Sequence, residues 1–291
     1  MKFLRKRRGF TLVELLVVIA VVVLLYGTML VRLAPTKGGQ CRDAANMVAD
    51  ALAEAWSRGL GNPAGSAVFI ESAGTTAIAL AGATVPPPIE GMVAGPIGSS
   101  VSVTNATDQA GLANGYRIQF YRTGSGATPP SPWFGYAGGS VFLRASAGQT
   151  ADNTILPVGN NLQCRVLCRP TKVERLLTLP KGTAIDLRYS GIEGGALNSA
   201  GSQDIAIMFD GFGGLSGLFV GASEWAPATV YLLVAAASDI DRGGTATLLS
   251  PTSRWVVVTP QTGRVTVAAN NPANNVSDAR TFARPAGSIG R

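Results

Sequence analysis

The first side chain placed to do chemistry is Glu14. It is the only charge in the 22-residue run Phe10–Val31, and it is the fifth residue after Gly9. A charged side chain in an apolar helix costs about 2.5–3.5 kcal/mol at mid-membrane on insertion scales, so it persists only with a partner. Thr11-x-x-Glu14 offers a local one, because it reads as a capping box that satisfies free amides at a helix start. Elsewhere the chemistry is sparse. The chain has no histidine, which excludes Ser-His-Asp and Cys-His catalysis and His-ligated metals. Gly211-Phe212-Gly213-Gly214-Leu215-Ser216-Gly217 lacks the Lys-Ser/Thr of a phosphate loop and reads as a β-turn. Asp239 and Asp241 precede two glycines, but calcium takes six to eight oxygens and the EF-hand spacing is absent, so a solvated turn is expected. No metal, cofactor or enzymatic activity is expected.

Three cysteines are too few for a disulfide framework. Cys164-x-x-x-Cys168 differs from the C-x-x-C spacing of redox and zinc sites. In an oxidising compartment a Cys164–Cys168 bridge is chemically allowed and would pin a loop, leaving Cys41 over; the alternative is isolated thiols. Arg280, Arg284 and Arg291 make a basic C-terminal tail, with only Phe282 among them to stack on a base. A solvated tail is expected, and DNA is the weaker expectation.

The elements that must carry these residues follow from composition. The chain has 291 residues, 46% hydrophobic and 14% charged, against roughly 25% charged in soluble domains. With 36 glycines and 17 prolines, it favours a β-rich body with an apolar attachment. The net charge of +7 is local. Five of the 24 basic residues (Lys2, Arg5, Lys6, Arg7 and Arg8) lie in the first nine positions, leaving 19 basic against 17 acidic residues, or +2. Bulk charge therefore gives no reason to expect nucleic acid.

As a helix, Phe10–Val31 would be roughly 33 Å long, close to a bilayer core of about 30 Å. The preceding basic cluster holds the N-terminus in the cytoplasm. The run is too long for a secretory signal peptide and lacks a small-residue cleavage site at its end. A plain single-pass anchor fits the length but leaves Glu14 unexplained.

Arg5-Lys6-Arg7-Arg8-Gly9 followed by Phe10-Thr11-Leu12-Val13-Glu14-Leu15-Leu16 closely resembles the type IV pilin and pseudopilin signature. The resemblance implies cleavage after Gly9 by a prepilin peptidase and methylation of the new amine on Phe10. It also implies that Glu14 sets axial register by pairing with the N-terminal amine of a neighbouring subunit. Two such charges about 4 Å apart gain on the order of 4 kcal/mol at an effective dielectric of about 20. Leu12, Leu15, Leu16, Val18, Ile19 and Val22 would pack in a filament core.

The expected organisation is a leader over 1–9, an N-terminal helix over 10–59 and a periplasmic β-rich domain over 60–291. Within the helix, 10–31 spans the membrane and 41–58 is amphipathic, with a kink near Pro35 and a stop at Gly59. The fold class is α+β: a long, kinked, membrane-spanning helix packed on an antiparallel β-sandwich-like domain with long Gly/Pro-rich loops. Strands are expected near 67–70, 116–121, 140–144, 173–179, 183–189, 204–209, 229–235, 254–259 and 264–268. The pairing of those before 170 is left open. Leu179-Pro180-Lys181-Gly182-Thr183, Ile207-Met208-Phe209-Asp210-Gly211, Trp255-Val256-Val257-Val258 and Thr262-Gly263-Arg264 occur in an order that resembles the GspH/FimT family of minor pseudopilins and minor pilins. That likeness implies a non-enzymatic filament subunit of a type II secretion pseudopilus or type IV pilus. Its partners would be prepilin peptidase, other pilin or pseudopilin subunits, the inner membrane and an assembly platform. The alternative is a minor pilin that binds a ligand, in DNA uptake or adhesion.

Overall fold

The structure is a computed structural model that describes residues 12–33, 36–93, 103–104, 116–121, 134–137, 140–143, 163–193, 195–197, 204–221, 223–225 and 227–284. Gly9, Phe10, Thr11, Pro35 and Arg291 lie outside the described residues.

Helix α1 covers Leu12–Leu33 and α2 covers Lys37–Gly59. Strands β1 (Ser66–Ala73), β2 (Thr76–Thr84), β3 (Ile89–Val93), β4 (Val103–Thr104), β5 (Tyr116–Tyr121), β6 (Phe134–Ala137), β7 (Ser140–Leu143) and β8 (Gln163–Leu167) follow. Then come β9 (Thr171–Thr178), β10 (Thr183–Ile192), β11 (Gly195–Ala196), β12 (Ile205–Phe209), β13 (Leu215–Val220), β14 (Ser223–Trp225) and β15 (Val230–Ala236). The chain continues through α3 (Ala237–Asp241), α4 (Ala246–Leu249), β16 (Arg254–Val258), β17 (Val265–Ala269) and α5 (Val276–Ala283).

The second helix begins a turn earlier than its apolar stripe suggests. The expected amphipathic stretch starts at 41, whereas the helix starts at Lys37, where the Thr36 hydroxyl accepts from the Gly39 N–H at 3.2 Å and caps the end. A capped start offsets the poor helix propensity of two glycines. The stripe itself is as expected: Cys41, Ala44, Ala45, Val48, Leu52 and Ala55 are buried. Its alanines keep the helix surface narrow, which lets the backbone lie close to a sheet.

That sheet has eleven strands, ordered β14-β13-β12-β1-β2-β10-β15-β16-β17, with β9 pairing β2 and β11 pairing β10. A second sheet of six runs β4-β3-β8-β5-β6-β7. Every pairing among the described residues is antiparallel. The domain is thus α+β and antiparallel. Strands β15 and β16, in the large sheet, are buried on both faces. On β15, Val230, Leu232 and Val234 join the α2 core, while Tyr231 and Leu233 face Leu248 of α4 and Ala279 and Ala283 of α5. On β16, Val256 and Val258 point to the first core, and Trp255 and Val257 to the second. Period-two alternation therefore sorts two cores rather than core from solvent, so these strands read as continuous apolar runs.

Both far ends of the sheet meet at the C-terminal end of α2. The β13 residue Leu215 donates its N–H to the Pro260 carbonyl in the β16–β17 turn at 2.7 Å. The smaller sheet is tied in by Arg117 of β5. Its guanidinium is buried against Glu224 of β14 at 2.6 Å, donates to the Ser216 hydroxyl at 2.6 Å and lies over the Phe219 ring.

Of the tail expected to be solvated, Arg280 is a correction, while Arg284 is at the surface. Asn275 accepts from the Asp278 N–H at 2.8 Å and starts α5. Arg280 is buried, donates to the carbonyls of Ile192 and Tyr189 at 2.6 Å each, and stacks over Tyr231. Burial lowers its pKa, partly opposed by Tyr231 and Glu193.

Candidate functional site

Among the described residues, α1 is the helix that the β-rich body leaves uncovered. Every side chain described on it, Leu12 to Tyr26, is exposed. The large apolar ones range from 43% at Val22 to 78% at Leu12. Leu12, Leu15, Leu16, Val18, Ile19 and Val22 are all among them. An apolar surface of this extent on a chain with two well-covered cores marks an interaction site. Glu14 falls in the first turn of α1, where the helix dipole favours an acid. Among the described residues no helix is long and apolar enough to cross a membrane. The side chains described on α1 stop at Tyr26, short of the 22-residue helix itself.

The body holds α2, and through it the root of α1, at both ends. At the start, Lys37 donates to the Ser238 hydroxyl at 2.9 Å and lies 4.0 Å from the buried carboxylate of Asp239. Asp239 also accepts from the Ser250 hydroxyl and pairs with Arg242. The solvated turn expected at Asp239–Asp241 is instead the short helix α3 with Asp239 buried, because these partners neutralise it. Among the described residues no group of three or more His, Cys, Asp or Glu is placed to hold a metal ion.

At the far end, the Trp56 indole donates to the Gly213 carbonyl at 2.9 Å. Gly263, at φ 58°, leaves no room for a side chain, since a Cβ there would overlap both the Gly213 carbonyl and the Trp56 ring. Asp210 Oδ1 accepts from the N–H groups of Phe212 and Gly214 at 2.9 and 2.8 Å, which locks the turn. The Gly211–Gly217 stretch is this turn running into β13, with no helix after it. The sequence places Gly213 in a turn and Gly263 in a short motif, but nothing local signals that they converge on Trp56.

A buried polar network interrupts β10. The pairing with β15 shifts register between Asp186 and Gly191. The fully buried Asp186 carboxylate accepts from Arg188 at 2.9 and 2.8 Å and from Thr247 at 2.8 Å. The Ser190 hydroxyl donates to the Asp186 carbonyl and accepts from the Leu233 N–H. Every one of these groups has a partner within the fold, which is the pattern of a structural network.

The three cysteines are free and buried. The allowed Cys164–Cys168 bridge is not formed. Cys164 lies in β8 and Cys168 just beyond it, and four residues of extended chain separate Cα atoms by roughly 13 Å, against the ~7 Å limit of a disulfide. Burial pushes the Cys164 thiol up to about 11, aided by the Glu90 charge and opposed by the Gly91 N–H.

Comparison with known proteins adds the class. Residues 4–26 match the prokaryotic N-terminal methylation motif, which is typical of type IV pilin and pseudopilin precursors. No curated protein and no solved structure matches the chain.

Proposed function

We propose that this chain is a non-enzymatic subunit of an envelope filament, a minor pseudopilin or minor pilin of the GspH/FimT kind. The observation that carries the reading is the match at 4–26, whose residues from Leu12 on lie in a helix with its described apolar side chains left exposed by the body. Prepilin peptidase cuts after Gly9 and methylates Phe10. Helix α1 holds the precursor in the inner membrane as a single pass, with residues 60–291 in the periplasm. On assembly Glu14 pairs with the amine of a neighbour, and Leu12, Leu15, Leu16, Val18, Ile19 and Val22 pack against other helices. The DNA-capture alternative is weakened by Arg280, whose guanidinium is committed to two carbonyls and a ring.

The test is the intact mass and N-terminal sequence of the protein from cell envelopes, with and without prepilin peptidase. Loss of residues 1–9 and a methylated Phe10, both dependent on the enzyme, support the reading. An N-terminus that stays at Met1 rules it out and leaves a plain anchor.

A further inference from the structure

We propose that the open edge of β17 accepts an added strand from a different subunit of the assembly. The proposal rests on the reading as a minor filament subunit and names a kind of contact within that filament. The hydrogen bonds at the two ends of β17 fix which of its groups are free. Thr259 donates its N–H to the Arg264 carbonyl, and Asn270 donates its N–H to the Ser253 carbonyl. Bonded residues alternate in an antiparallel ladder, so Arg264, Thr266, Ala268 and Asn270 turn their backbone groups to β16. Val265, Val267 and Ala269 turn theirs outward. Among the described residues no backbone bond of Val265–Ala269 reaches any segment but β16. The outward side is accessible, with Val267 37% exposed and Ala269 exposed as well.

Other edges of the large sheet are blunted, by shortness or by charge. Strand β14 has three residues, and its Glu224 is paired with Arg117. Strand β9 carries Lys172, Glu174 and Arg175 in its sequence. By contrast, β17 has no charge, no proline and an unbroken register with β16 over all five pairs. A flat, β-branched edge of this kind is a template for another strand. Its α2 side also holds a place for incoming side chains. Val265 packs on the α2 core, and with Ala53, Trp56, Thr262, Gly263 and Arg264 it lines a cavity of about 470 Å³. A strand paired with β17 sets one apolar side chain there and the next but one over Val267. At the two ends stand Arg264 and Arg254, neither in an ion pair among the described residues. The occupant is therefore an extended segment with alternate apolar residues and a carboxylate at each end. A second copy does not fit, because antiparallel self-pairing brings the Arg264 end of one β17 beside the Arg254 end of the other.

The experiment follows amide hydrogen exchange over Val265–Ala269 in the full-length chain, in cell envelopes and after detergent extraction. Exchange should be at least about tenfold slower in envelopes, with Thr171–Thr178 of β9 alike in both. The capped peptide Glu-Val-Thr-Val-Thr-Val-Glu restores slow exchange to the extracted chain, and the same peptide N-methylated at its valines does not. Val267→Pro removes an outward N–H where an edge strand tolerates proline, and Val267→Lys sets a charge on the edge. Each should abolish the protection, while Val267→Thr keeps it. Slow exchange in envelopes that survives both variants means a cover other than a strand and overturns the proposal. Protection of the extracted chain that grows with its own concentration shows self-pairing and overturns the partner. Equally fast exchange in envelopes and detergent, on chains whose mass shows the cut after Gly9, overturns the edge proposal alone. Chains that keep Met1 overturn the filament reading, and the partner subunit falls with it.

Discussion

Trp56 Nε1 donates to the carbonyl oxygen of Gly213 at 2.9 Å, across 157 residues of sequence. The bond joins the last turn of α2 to the β12–β13 turn, and Gly263 of the β16–β17 turn packs against both partners. Three segments distant in sequence thus close around one helix end. Trp56→Phe keeps the ring and removes the donor, so we expect a loss of about 1–2 kcal/mol in unfolding free energy, because a part-buried carbonyl is left unmade. Gly263→Ala should cost more. Its φ of 58° alone carries about 1–3 kcal/mol for a side chain, and the overlap adds to it. Denaturant unfolding of the detergent-solubilised protein, followed by circular dichroism, ranks the two.

Arg117 and Glu224 form an ion pair in which both side chains are under a tenth exposed, at 4% and 9%. Removing one partner strands the other charge. Glu224→Ala should therefore destabilise by about 3–5 kcal/mol, while Arg117→Met with Glu224→Leu together recover most of that loss. Hydrogen exchange over Tyr116–Tyr121 should rise in the single variant and stay low in the double. Equal exchange in both would mean that the pair does not hold the small sheet.

Two arginines four residues apart should differ in weight. Arg280→Ala orphans the carbonyls of Ile192 and Tyr189 and uncovers the Tyr231 ring, an expected loss of about 2–3 kcal/mol. Arg284 pairs with Glu193 at the surface and reaches the Tyr231 hydroxyl, and its alanine variant, which leaves the buried carbonyls paired, should melt much closer to the wild type. Thermal melts of the two variants decide this, and a shift at Arg284→Ala as large as at Arg280→Ala would refute the assignment.

Cys164 provides a pH dependence. Its folded pKa is raised by burial from an ordinary 9.0 to about 11. Between those values the unfolded chain has released a proton that the folded chain still holds, so stability falls as pH rises through that window and is unaffected by this thiol below it. Iodoacetamide at pH 8 should leave Cys164 unmodified in the folded protein and alkylate it in urea, as read by peptide mass. Modification at equal rates would show the thiol to be accessible.

Much of the architecture is legible in the sequence where a pattern is local. The α2 stripe repeats at helical spacing, β5 begins and ends where its alternation does, and β12, β15, β16 and β17 are apolar runs between turn residues. Strand β2 is not legible. Thr76–Thr84 has Ala at four positions and Gly82, both poor strand formers, and it is set by pairing with β1 on one side and β9 and β10 on the other. Helix α5 escapes because it is short and Asn275 marks a cap only once the residues after it are helical, and the burial of Arg280 depends on carbonyls 88 and 91 residues away. Glu14 is legible because it is alone among apolar residues. The Trp56 clamp and the Phe212 turn are not, because their geometry exists only once distant strands have paired.

The embedding of α2 also has a mechanical meaning. Any pull along α1 is delivered to α2, whose buried stripe is packed across several strands of one sheet rather than along a single one. Such a load shears many side-chain contacts at once instead of peeling them in turn. Thr36 and Lys37 at one end and Trp56 at the other act as pins that keep the helix from sliding. The body is thus a handle that can be drawn by its stem without being unthreaded.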